Sequence, residues 1–262
     1  LWQEKASLGV KKYLKYKNDD VEGLVFPHKD VADPFWIYWN SGIDQVPPIV
    51  KKCYESIQRH VNGNVILLTD DNLAEYVQLP DYIEKKKEIG KIPMAGYVDL
   101  LRFALLQHYG GTWIDSTVYL TDRIPQSILN SDFFVFRNSL LLIDNPVLYP
   151  SWFLHSKKEN KTMTEIRNVA FAYWEKNRYV AEYLPPNLII TQVLKENPDI
   201  EKTMPYMNSD YSEYLIKVLA DEYSESKYVW IKKLTPIHKL TYKLDLDIDK
   251  EGSFYRHVMS EL

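Results

Sequence analysis

Leu100–Thr117, LLRFALLQHYGGTWIDST, is the stretch that decides the fold. Its first half carries on an apolar pattern of helical period, Val98, Leu101, Leu105 and Tyr109. Gly110-Gly111 then supplies residues that take positive φ where a helix ends. Thr112-Trp113-Ile114 is a short buried strand that runs straight into a carboxylate, Asp115. Asp99 and Arg102 are three apart and leave the helix in similar directions, so helix and strand bring three polar groups to one edge. An exposed local Asp–Arg pair contributes only about 0.2–0.5 kcal/mol. Arg102, however, falls beside Val98, Leu105 and Tyr109, and a charge placed there needs a partner.

Upstream, the same alternation repeats. Phe35-Trp36-Ile37-Tyr38-Trp39 reads as a buried strand closed by Asn40-Ser41-Gly42. Pro47-Pro48 opens a helix whose apolar face is Ile49, Val50, Cys53, Ile57 and Val61, ended by Asn62-Gly63. Asn64–Thr69 is a second buried strand. Asn72 and Glu75 have the spacing of a capping pair, and Asp81 is placed to cap a short helix reaching Ile89. At the start, Trp2, Ala6, Val10 and Tyr13 recur three or four apart among Lys5, Lys11, Lys12, Lys15 and Lys17, a basic amphipathic helix. Such a helix either packs on the domain with a solvated lysine face or lies on an anionic membrane surface, and both readings stand.

Downstream the signal weakens. Helices are expected over Met163–Asn177, Leu188–Asn197 and Tyr211–Asp221, and a late strand over Tyr228–Leu234. With no internal repeat or linker, the expectation is one domain over 1–262. It comprises an N-terminal helix and loop (1–30), a core (35–138), a helical region (139–224) and a C-terminal strand and tail (225–262). Strands alternating with helices argue for an α/β fold with a mainly parallel sheet, in which ligands bind beyond the carboxyl ends of the strands.

Composition narrows the function. At 45% hydrophobic and 26% charged, the chain can bury a sizeable core. A net charge of −4 lacks the basic excess that generic nucleic-acid binding needs, so no nucleic-acid partner is expected. The single cysteine, Cys53, can form no internal disulfide and reads as a small buried hydrophobe. No stretch reaches the roughly 18 apolar residues of a membrane span, and the N-terminus lacks a secretory layout. A cytoplasmic protein is expected, with peripheral membrane contact left open. The aromatic share, 14%, suits sugar-binding clefts and aromatic cores alike.

Asp99-x-x-Arg102, Tyr109-Gly110-Gly111 and Trp113-Ile114-Asp115-Ser116-Thr117 resemble the donor-site motif of capsular polysaccharide synthesis glycosyltransferases. These are similar to glycosyltransferase family 32 and, more distantly, to the large clostridial glucosylating toxins. The resemblance runs from about Phe35 to Pro125, about a third of the chain, with a weaker match at Pro236–Lys243. It implies a GT-A-like, Rossmann-type nucleotide-sugar-binding domain with additional helices. It also implies a retaining transferase that moves a hexose, glucose or galactose, from a UDP-sugar to a hydroxyl of a capsular or exopolysaccharide repeat unit, which is polyprenyl-diphosphate-linked. By the same resemblance Asp99, Arg102 and Asp115 form the catalytic site. Tyr38 and Trp39 hold the uracil base, and Lys239 and Lys243 stand near the diphosphate.

Asp115, Thr117 and His238 occupy the positions that hold Mn2+ or Mg2+ in the relatives. Thr117 replaces the second, directly metal-binding aspartate of the DxD motif, which leaves either a site completed by His238, diphosphate and water, or one in which Lys239 or Lys243 takes over part of the charge neutralisation. Trp39 and His238 have plain structural readings too, as core side chains. Asp132 and Asp144 are within chain reach of an acceptor, although loop aspartates are more often caps. Two rival classes are a non-catalytic sugar-nucleotide or glycan-binding component and a two-carboxylate hydrolase, for which the sequence offers no distinctive pair.

Overall fold

The computed structural model describes residues 2–27, 30–139, 147–177, 185–244 and 248–261, with side chains from Lys5 onward. In chain order, α1 (Trp2–Lys11) precedes β1 (Pro34–Tyr38), α2 (Pro48–His60) and β2 (Asn64–Leu68). Short helices α3 (Leu73–Tyr76) and α4 (Asp81–Glu88) lead to α5 (Met94–Tyr109), β3 (Gly111–Ile114), β4 (Val118–Leu120), α6 (Gln126–Leu129), β5 (Phe133–Val135) and β6 (Phe153–Ser156). Then come α7 (Lys161–Lys176), α8 (Pro185–Glu196), α9 (Pro198–Thr203), α10 (Ser209–Ser212), α11 (Tyr214–Val218), α12 (Glu225–Leu234), β7 (Ile237–Lys239) and α13 (Phe254–Ser260).

The central sheet has the order β2-β1-β3-β6-β5. β1 is parallel to β2 and β3, while β6 is antiparallel to both its neighbours. Four strands therefore run one way and β6 alone runs back, the mainly parallel α/β sheet expected. Side chains alternate between two cores, as the pleat requires. Trp36, Tyr38, Trp113, Phe133 and Leu154 pack under α5, α7 and α8, whereas Phe35, Ile37, Ile114, Phe134 and Phe153 face the opposite side.

Two glycines set the junction between α5 and β3. Gly110 has φ +73° and Gly111 φ +93°, and a Cβ on Gly111 would stand 2.1 Å from the Pro34 carbonyl oxygen. Only glycine lets β3 lie this close to the start of β1. On the other side of the sheet, α2 buries Ile49, Val50, Cys53 and Ile57, and burial pushes the Cys53 thiol up. The Leu120 backbone N–H donates to Ser56 Oγ at 2.9 Å, which fixes β4 against α2. β4 then pairs antiparallel with β7 as a separate ribbon.

The N-terminal helix packs on α8. Ala6, Val10 and Tyr13 are buried, Ser7 Oγ accepts from Gln192 Nε2 at 2.7 Å, and Lys5, Lys11, Lys12 and Lys15 face out. No helix among the described residues is long and apolar enough to cross a membrane.

Several local expectations are corrected. Tyr228–Leu234 is not a strand but the body of α12. Its Ser224 cap accepts from the Lys227 N–H, and its buried residues Tyr228 and Ile231 are three apart. The strand falls later, at β7. Asn72 makes no side-chain cap, because its Oδ1 accepts from the Thr69 N–H instead. Pro80 holds the position before α4, and Asp81 is already helical. The helix expected over Tyr211–Asp221 is split at Glu213 into α10 and α11.

Candidate functional site

α5 is buried on nearly every face, so its two charged residues enter the protein interior together. Arg102 Nη2 lies 3.2 Å from Asp99 Oδ1 and 3.3 Å from Asp115 Oδ1. Its Nη1 donates to the Ser151 carbonyl, and its guanidinium stands 5.1 Å from the centre of the Trp113 ring. One planar cation thus joins two carboxylates on different elements, a geometry its fork suits. Asp99 is buried, and loss of hydration pushes its carboxyl up to about 7 against the opposing pull of Arg102, with Asp115 adding to the rise.

Asp115 sits one residue beyond β3, at the carboxyl edge of the sheet, and its N–H donates to the Trp152 carbonyl at 2.9 Å. The turn Asp115-Ser116-Thr117 closes through the Val118 N–H to the Asp115 carbonyl, and the chain leaves as β4. Pairing with β7 sets Val118 opposite Lys239 and Tyr119 opposite His238. Lys239 Nζ donates to Thr117 Oγ1 at 2.5 Å and to the Leu240 carbonyl at 3.2 Å, and stands 4.0 Å from Asp115 Oδ2. The Asp115 and Lys239 side chains are 26% and 24% exposed, so this pair opens towards solvent while Asp99 stays behind it.

His238 lies next to Lys239 on β7. Neighbouring residues of a strand point to opposite faces, so when Lys239 turns to Asp115, His238 turns away. It is fully buried, its Nε2 is 3.1 Å from Thr121 Oγ1, and burial pushes its pKa down to about 3, so it is a neutral core side chain. Asp115 and Thr117 thus meet Lys239, while His238 is buried against Thr121. What remains fits a divalent ion poorly. Asp115 Oδ1 already faces Arg102 and the Trp113 indole N–H, its Oδ2 faces an ammonium, and the Thr117 hydroxyl accepts from that same ammonium. No cluster of three or more His, Cys, Asp or Glu able to hold a metal occurs among the described residues.

At the neighbouring strand ends, the Tyr38 hydroxyl donates to Asp70 Oδ1 at 2.6 Å and touches Met94 Sδ at 3.8 Å, so it braces β1 against the second residue after β2 and the start of α5. Trp39 is half-buried, with its ring edge-on to that of the exposed Tyr242 at 5.7 Å between centroids. Lys243 is exposed, and its N–H donates to Thr241 Oγ1 at 3.1 Å. No hydrogen bond or ion pair joins it to Asp115 among the described residues. Asp132 is placed away from this edge. It precedes β5, whose Phe133 pairs with Ser156 and through it with Gly111 at the amino end of β3, and it pairs with Lys157. Asp144 lies outside the described residues.

Sequence reasoning missed two residues near the site. Tyr242 lies within the segment singled out for its histidine and lysines, and its role shows only through Trp39. Glu213 stands at the α10–α11 break, where burial raises its carboxyl, Asp210 adds to the rise, and Lys239 and Lys217 oppose it. No local motif marks it.

Fold and contacts together define an α/β protein with a carboxylate flanked by two cations at the carboxyl edge of its sheet. Residues 3–258 match the family described as capsular polysaccharide synthesis protein, and the chain belongs to that family. No curated protein sequence matches it significantly. Among solved structures it is similar to "PaToxG Glycosyltransferase", at 12% identity and a TM-score of 0.47, over 98% of this chain and 95% of that one.

Proposed function

We propose that this protein is a glycosyltransferase of capsule assembly that takes a hexose, glucose or galactose, from a UDP-sugar. The acceptor is a hydroxyl of a capsular or exopolysaccharide repeat unit, carried on a polyprenyl diphosphate at the cytoplasmic face of the membrane. The observation that carries the reading is the group Arg102, Asp115 and Lys239 at the sheet edge where α/β proteins bind nucleotides. Two cations suit a diphosphate, and one carboxylate between them suits sugar and ribose hydroxyls. The Trp39–Tyr242 pair offers ring faces to a base.

In the proposed reaction the bond from the anomeric carbon to the diphosphate oxygen breaks, and the acceptor oxygen bonds to that carbon from the same face. The acceptor proton passes to a phosphate oxygen of the leaving group. Cations fixed before the reaction stabilise charge growing on that group without having to reorganise. The test is a nucleotide-release assay over UDP-glucose, UDP-galactose, UDP-N-acetyl sugars and GDP-mannose. Slow UDP release with one hexose supports transfer. Binding without turnover favours the non-catalytic reading, and no response from folded protein overturns both.

A further inference from the structure

We infer that the donor site works without a divalent cation, and that the Lys239 ammonium, fixed by Thr117, is the resident positive charge for the donor diphosphate. The inference rests on the nucleotide-sugar reading above and concerns how that same site holds its anion.

The argument begins with register. Val118 pairs with Lys239, and the Leu240 N–H donates to the Thr117 carbonyl at 2.9 Å, so the ribbon fixes the lysine backbone directly beside the Asp115-Ser116-Thr117 turn. The flexible lysine stem is then anchored at its tip by two acceptors, Thr117 Oγ1 and the Leu240 carbonyl. An ammonium has three donors, which leaves one for a phosphate oxygen. Thr117 suits this arrangement: its hydroxyl accepts from the lysine and adds no charge, whereas a carboxylate there would be a second anion beside a lysine already 4.0 Å from Asp115 Oδ2.

Charge points the same way. Arg102 and Lys239 bring two positive charges to Asp115 and to Asp99, which lies deeper beside Arg102. The formal charge of this group is near zero, so a dianionic diphosphate meets no net repulsion there and finds the partly exposed Lys239 ammonium at the opening. A divalent ion placed at Asp115 Oδ2 would meet an ammonium 4.0 Å from that oxygen, and the nearest histidine on β7 faces the other way. A divalent ion needs free oxygen ligands, and here both Asp115 oxygens and the Thr117 hydroxyl already face Arg102, the Trp113 N–H or the Lys239 ammonium.

The experiment is calorimetric titration of the intact protein with UDP, with uridine as a phosphate-free control, in EDTA and in MnCl2 or MgCl2. Wild-type protein should bind UDP equally well in all three buffers. Lys239→Met should weaken UDP binding about tenfold or more, as expected for loss of a charge-assisted hydrogen bond, and leave uridine binding unchanged. Lys239→Arg, which keeps the charge, should retain most of the affinity, and circular dichroism checks that each variant is folded. UDP binding that requires Mn2+ or Mg2+ overturns the inference but leaves the donor reading intact, as does a folded Lys239→Met variant with wild-type affinity. Failure of UDP to bind in every buffer overturns the UDP-donor reading, and this inference with it.

Discussion

Trp113 Nε1 donates to Asp115 Oδ1 at 2.9 Å, so the strand that delivers the carboxylate also aims it. The indole is buried and sits beside the Arg102 guanidinium, which makes this tryptophan a positioning residue. Trp113→Phe keeps a ring for Arg102 and removes only the N–H. Turnover at saturating donor should fall roughly tenfold, the scale of a hydrogen bond to a charged group. Restored turnover on shifting substrate concentration alone, with kcat unchanged, would show that the bond does not aim the reacting group.

Arg102 holds two carboxylates in a poorly hydrated place. Arg102→Met leaves them facing each other, and breaking a buried pair in this way costs about 3–5 kcal/mol. Urea unfolding should register that loss, and adding Asp99→Asn should recover part of it. A single variant within about 1 kcal/mol of wild type would mean that water already screens the trio.

Asp99 ties stability to pH. Its carboxyl is raised from 3.8 unfolded to about 7 folded, so between these values the native state holds a proton that the unfolded state has released. Stability from this group is therefore greatest at low pH and declines as pH rises through that window, by at most about 1.4 kcal/mol per unit. Asp99→Asn removes the decline. Unfolding curves for both proteins across the window should converge at its acid end and separate at neutral pH, with the variant the more stable. Parallel curves would place the titration elsewhere.

Trp39 and Tyr242 make a separable prediction about the base. Replacing either with Ala should weaken UDP binding by about 1–3 kcal/mol, the range for loss of one stacking ring, and leave inorganic pyrophosphate binding unchanged. Equal loss for both ligands would assign the pair to packing alone.

Gly111 tests the junction itself. Ala at this position brings a Cβ to 2.1 Å from the Pro34 carbonyl and forces a side chain into positive φ. Gly111→Ala should destabilise the fold by upwards of about 2 kcal/mol, read as a lowered thermal midpoint.

The α5–β3 unit was legible because everything that defines it is local: a helical period, two glycines, a short apolar strand and an acid. Asp99, Arg102 and Asp115 came with it. β5 and β6 were not, since runs as short as Phe133-Phe134-Val135 carry no period to read. Tyr228-Val229-Trp230-Ile231 misled because aromatic and β-branched residues favour strands, yet only Tyr228 and Ile231 are buried. The choice between His238 and Lys239 is one of parity. A strand shows alternate residues to opposite faces, and only its pairing with β4 decides which one meets Asp115.

That pairing joins positions 117 and 239, on a ribbon outside the central sheet. A ribosome delivers the sheet strands and α5 long before β7. A nascent chain can thus complete its main hydrophobic layer while the donor edge still lacks a cation, and the far end of the ribbon is tied down later again, when Glu261 accepts from the Tyr119 and Tyr228 hydroxyls. On the proposed donor reading, the edge that would hold the diphosphate is therefore completed late in synthesis, when β7 pairs with β4.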